Sequence, residues 1–238
     1  MFWFLKGLFG GVTAPEPGKL GSEADPIRQL LFASQSLREQ VSHMRPDGRS
    51  GPGQSIVDAQ RLVEEGNTRE AVARLRSVLD SPALETRIQL WVWAALRELG
   101  ERPEGKLAFE VLGAVLEMPS GGAYDTLAGY VDGCARYLNF SGKAIFWDAA
   151  NPSVKKLCQA LVDSTIPASG RAKPRASLSL PRRGIQVTML TRSGPFVITA
   201  PPKAVVDAGA ALMLELIRRA EERKTEEAKV ERHSEPRV

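Results

Sequence analysis

Residues 126–147 read TLAGYVDGCARYLNFSGKAIFW, and two turn dipeptides inside them decide the fold class. Asp132-Gly133 and Ser141-Gly142 separate three short runs rich in aromatic and aliphatic residues. The pattern predicts an antiparallel meander with strands at 126–131, 134–140 and 143–147. Two-residue loops set Val131 opposite Cys134 and Phe140 opposite Lys143, and this register assigns every side chain to a face. Leu127, Val131, Cys134, Leu138, Phe140, Ile145 and Trp147 form the larger, aliphatic face, which should meet helices. Arg136 falls among them and needs an edge or a carboxylate, because a lone buried charge is costly. Tyr130, Tyr137 and Phe146 fall on the other face among alanines. Those three rings are a candidate binding face for a peptide or a base, or the seat of the N-terminal helices.

On the N-terminal side of the meander, residues 119–122 form a turn, and 111–118 read as a strand or as the end of a helix. On the other side, Asn151-Pro152-Ser153 starts a helix with Val154, Leu157, Cys158, Leu161 and Val162 inward. A second strand pair, 185–191 and 196–200, flanks 192–195. A last helix over 203–220 buries Val206, Ala210, Met213, Leu214 and Ile217. Strands joined by hairpins, with helices grouped apart from them, predict an α+β fold with an antiparallel sheet. The run from Asp125 to Asp148 resembles stretches of bacterial proteins and implies no activity.

The first half reads as helical. A 3.6-residue period runs from Ile27 through Leu30, Leu37 and Val41 to Met44, and the breaker cluster 45–54 ends it. Ser55, Thr68 and Ser81-Pro82 are expected to open three further helices, with Gly66 closing the first of them. Trp91 fits the core stripe of the last, and Trp93 lies on its flank, toward the second half of the chain. Gly66, Ala71, Leu75, Val78, Leu79 and Pro82 resemble the middle of a tetratricopeptide repeat. The resemblance spans 55–100 and departs from the family at the Trp-Leu-Gly positions of the first helix. It implies one helical hairpin that binds protein segments; a generic helical bundle fits the same pattern.

The chain divides into an apolar N-terminal tether (1–11), a linker (12–26), a helical domain (27–102), an α+β domain (103–220) and a charged tail (221–238). Phe2, Trp3, Phe4, Leu5, Leu8 and Phe9 make the tether a candidate anchor for a membrane surface or a partner. It is too short to span a bilayer, and folding back on the body is its other option. The net charge is +4 over 238 residues. The loop 167–184 holds Arg171, Lys173, Arg175, Arg182 and Arg183 with no acid, so the surplus charge is local. That loop touches phosphate on nucleic acid or lipid, or is merely solvated.

Two cysteines and two histidines are too few for a zinc module or a disulfide scaffold. Nucleotide-loop, metalloprotease and hydrolase-elbow motifs are missing from the sequence. No catalytic residue, metal or cofactor is therefore expected, and the pattern leans away from an enzyme. The expectation is a cytoplasmic adaptor that binds another protein, peripheral to the inner face of the membrane through its N-terminus. Nucleic-acid binding through 171–183 is the alternative, and an enzyme of unrecognised type the second alternative.

Overall fold

The computed structural model describes residues 26–44, 51–120, 123–141, 143–148, 151–181 and 183–234. The tether, most of the linker, Arg182 and Gly142 lie outside these residues. The fold is α+β. Helices α1 (Pro26–Leu30), α2 (Leu37–His43), α3 (Pro52–Glu64), α4 (Thr68–Leu79) and α5 (Thr86–Glu98) come first. After a 3-10 turn (Gly105–Phe109) come β1 (Val111–Ser120), β2 (Ala123–Tyr130), β3 (Ala135–Leu138) and β4 (Ala144–Trp147). Helix α6 (Pro152–Thr165), a second 3-10 turn (Ile166–Arg171), β5 (Lys173–Pro174), β6 (Gln186–Thr191), β7 (Gly194–Thr199) and α7 (Lys203–Ser234) complete the order.

The strands form one seven-stranded antiparallel sheet, ordered β4-β3-β2-β1-β6-β7-β5. The long strand β1 is central, and 111–118 is thus strand rather than helix. The predicted register is wrong by one residue at both turns. Thr126 opposes Leu138, and Ala135 opposes Trp147. Tyr130 N–H donates to Cys134 O at 3.0 Å, so the loop holds Val131, Asp132 and Gly133. Gly133 takes φ +94°, the left-handed residue that ends a three-residue hairpin loop. Asn139 N–H donates to Lys143 O at 2.8 Å, the same pattern one hairpin later. An extra loop residue exchanges the faces of successive strands.

Helices α6 and α7 cover one face, where Leu116, Leu127, Ala135, Val187 and Ile198 meet Cys158, Leu161, Leu212 and Leu216. Gly209 lets α7 approach closely: a Cβ there would stand 2.4 Å from Leu116 Cδ2. The inward stripe of α7 is centred on Val205, Leu212 and Leu216, with the expected Met213 and Ile217 packed partly buried beside it, while Leu214, also expected inward, is exposed. The helix also runs past 220 to Ser234, with Arg219 and Arg223 stacked on the Trp147 ring. Asn151 caps α6 as expected, accepting from the Ser153 and Val154 N–H groups.

The opposite face is covered by residues 30–33 and by Trp91 of α5, over Val115, Ala128, Tyr130 and Leu190. Trp91 therefore meets the sheet, while Trp93 packs on the bundle core, the reverse of the expected arrangement. The first helical stretch is broken: α1 ends at Leu30 and Ser36 recaps α2 through a capping box with Glu39. Helix α3 starts at Pro52 after Gly51 instead of at Ser55, and α4 after Asn67. Helix α5 starts at Thr86, later than Ser81-Pro82 suggests. Helix α2 touches both α3 and α5, and so does α4. Their core holds Leu37, Ile56, Ala59, Leu75, Val92 and Leu96. The four helices thus close a ring.

Candidate functional site

The three aromatic residues singled out from the sequence do not share a surface. Tyr130 is fully buried and donates its hydroxyl to Leu31 O at 2.8 Å. Burial pushes its pKa up to about 12. Phe146 shares that face, half-buried, with the Arg136 guanidinium 5.6 Å from its ring centre. Tyr137 points to the α6/α7 side, where its hydroxyl donates to Asp125 Oδ2 at 3.1 Å. The one-residue slip in register is what separates it from the other two.

The basic loop is fastened rather than free. Lys173 sits in β5 against β7. Arg175, 4% exposed at its side chain, turns inward and donates to Glu117 Oε2 at 2.8 Å and to Thr188 Oγ1 at 2.6 Å. Its guanidinium lies 4.6 Å from the Phe32 ring centre. Glu117 is fully buried in β1 and also accepts from both Arg28 nitrogens Nε and Nη2 and from Gln186 Nε2, the last at 2.7 Å. One carboxylate thus ties residues 26–33 and the loop after β5 to the central strand. Sequence reasoning missed Glu117. Its signal was an acid inside the apolar run VLGAVLEMP at 111–119. Arg171 ends the second 3-10 turn, and Arg183 lines a shallow cleft with Ser177, Ser179 and Gln186.

A second buried charge group joins the two halves. Arg136 pairs with Asp148 and donates to Trp147 O at 2.9 Å, which supplies the carboxylate its burial requires. Glu85 lies 4.0 Å from Arg87. Desolvation raises the Glu85 pKa, against the lowering pull of Arg87 and Arg136. Asp132 accepts from Cys134 N–H at 2.9 Å and, with its other oxygen, from Thr86 N–H at 2.8 Å, capping α5 from the sheet.

Burial also raises both thiols, that of Cys158 to about 12. His43 bonds to Glu39 O of its own helix at 2.7 Å. Among the described side chains, no cysteine is hydrogen-bonded to a histidine. Among the described residues, no three His, Cys, Asp or Glu side chains gather as a metal centre needs.

The open apolar surface lies elsewhere. A groove of about 470 Å³ runs between the first 3-10 turn and the C-terminal half of α6. Phe109, Val111, Val131, Val162 and Ile166 wall it, with Lys106, Glu110 and Asp163 at its margin. Phe109 is 66% exposed and Ile166 52%. Phe109 is held by an edge contact to Phe196, with ring centres 6.0 Å apart. Arg192 fixes the turn beneath it, donating to Leu107 O at 3.0 Å and pairing with Glu110. A rigid frame carrying exposed large apolar side chains is suited to binding another apolar surface.

Comparison with protein-family models, curated proteins and solved structures finds no match for the chain. Among the described residues, no helix is long and apolar enough to cross a membrane.

Proposed function

We propose that this protein is a non-enzymatic interaction protein, an adaptor that binds another protein through the groove between Phe109 and Ile166. The observation that carries this reading is the exposure of those two side chains, on a frame whose other large apolar groups are mostly buried. The apolar residues Phe2, Trp3, Phe4, Leu5, Leu8 and Phe9 suit a tether to the inner face of a membrane. A single short segment of this kind binds lipid weakly and reversibly, so the protein is peripheral. Nucleic acid is not the partner proposed, because Arg175 of the basic loop spends its charge on Glu117.

The test uses the full chain as bait in its native cell extract. Phe109→Asp should lose a partner that the wild type captures, with its circular dichroism unchanged. An identical set of captured proteins would remove the docking role. Trp3→Glu with Phe4→Glu should abolish flotation with lipid vesicles, and unchanged flotation would remove the tether.

A further inference from the structure

Resting on the docking role of that groove, we infer that the partner it fits is a second copy of this chain, related by a two-fold axis. The two walls carry one pattern with opposite sign. On the first 3-10 turn, Lys106 precedes Phe109 by three residues, and side chains so spaced eclipse on a 3-10 helix. At the end of α6, Asp163 precedes Ile166 by three residues, which places both on one side of the helix. Each wall thus presents an exposed apolar side chain beside an exposed charge, a cation on one and an acid on the other. Neither charge has an ion-pair partner among the described residues. Asp163 accepts from Gln159 Nε2 at 2.8 Å, and Glu110, the other charge at the margin, is engaged by Arg192.

A two-fold axis through the groove exchanges its walls. The turn of one copy then meets α6 of the other. Lys106 faces the partner's Asp163, and Phe109 faces the partner's Ile166. In such an isologous contact each pairing occurs twice. A surface that carries both halves of its own complement is matched by itself without any further chemistry.

The apolar share is present as well. Among the described residues, five large apolar side chains are exposed, and three of them, Leu107, Phe109 and Ile166, belong to this turn and this helix end. Leu107 is 61% exposed. Association withdraws them from water, at about 25 cal/mol per Å² of apolar surface. The turn is already fixed by Arg192, so little ordering entropy opposes the contact.

Sedimentation of the full chain in the micromolar range should give a species of twice 25.9 kDa. Phe109→Asp and Ile166→Asp should each give a monomer with unchanged circular dichroism. Lys106→Glu or Asp163→Lys alone sets like charges against each other and should weaken the dimer by about tenfold or more. Lys106→Glu combined with Asp163→Lys restores opposite charges across the axis and should bring the dimer back to within about threefold of wild type. A monomeric wild type, a dimer indifferent to Phe109 and Ile166, or a double variant no better than the singles would overturn the inference. Capture from the native extract separates it from the docking role. The protein whose capture depends on Phe109 should be the untagged chain itself. If the chain is monomeric and Phe109 captures a different protein, the docking role stands and the second copy falls. If the dimer requires Phe109 but the capture of no other protein does, the second copy stands and the adaptor reading falls.

Discussion

The two faces of the sheet are sealed by different means. On one side, α6 and α7 lie over Leu116, Leu127 and Val187, and the contact is almost wholly aliphatic. On the other, residues 26–36 and 175–181 lie over the sheet, with Glu117, Arg28 and Arg175 buried among them. A regular helix satisfies its own backbone, so a dry contact suffices. Residues 26–36 bring apolar side chains as well, Leu30, Leu31 and Phe32 among them, but beyond the short helix α1 and one turn they form no regular element. They are pinned by charged side chains that fit one place on the sheet. Buried ion pairs of this kind contribute little net stability but strongly penalise the loss of one partner.

That difference can be broken most directly at Glu117. Glu117→Ala leaves two guanidiniums facing an empty site and should cost about 3–5 kcal/mol. Chemical denaturation reads the loss, and limited proteolysis should show new cleavage within 172–181 and near 30–36. Cleavage confined to other segments would mean that the carboxylate does not hold the cover. On the dry face the sharpest single change is Gly209→Ala. Its Cβ must displace Leu116, which is fully buried, and overpacking of that kind costs about 1–3 kcal/mol. No new cleavage is expected there, because a helix shifts as a body. The smallest effect concerns Glu85, whose carboxyl is held above its ordinary value of 4.5 by burial. The folded state keeps that proton to higher pH than the unfolded chain does. The associated stability is therefore present below the ordinary value and is lost as pH rises through the raised one. Glu85→Gln should flatten the decline in urea midpoint between acid and neutral pH. A parallel decline in wild type and variant would assign it to another group.

How much of this was legible in the sequence varied with the range of the interactions involved. Local chemistry was readable: Asn151 caps its helix, Gly66 adopts φ +80° where α3 ends, and the glycine dipeptides mark both hairpins. Loop length was not, because Asp-Gly serves two-residue and three-residue hairpins alike. That single ambiguity moved Tyr137 to the wrong face. The break between α1 and α2 was hidden for another reason. Leu30, Leu31 and Phe32 continue an apolar pattern, yet they pack on the sheet while Leu37 packs on the bundle. Periodicity reports that a side chain is buried and is silent about which core receives it. The groove was invisible because its walls come from 109–111, Val131 and 159–169, which only the completed fold brings together.

The carboxylate of Asp132 carries a consequence for how the chain folds. It accepts from Thr86, 46 residues earlier, so the first turn of α5 lacks its cap until the β2–β3 hairpin has formed. Trp91, on that same helix, waits for the same hairpin to give it a dry surface. During synthesis the bundle emerges first, with its last helix frayed and one indole in water. It becomes a finished unit only after the residues to about 138 have left the ribosome. The two halves are therefore expected to melt in a single cooperative transition, and a fragment ending near residue 102 should be a sticky, partly ordered species.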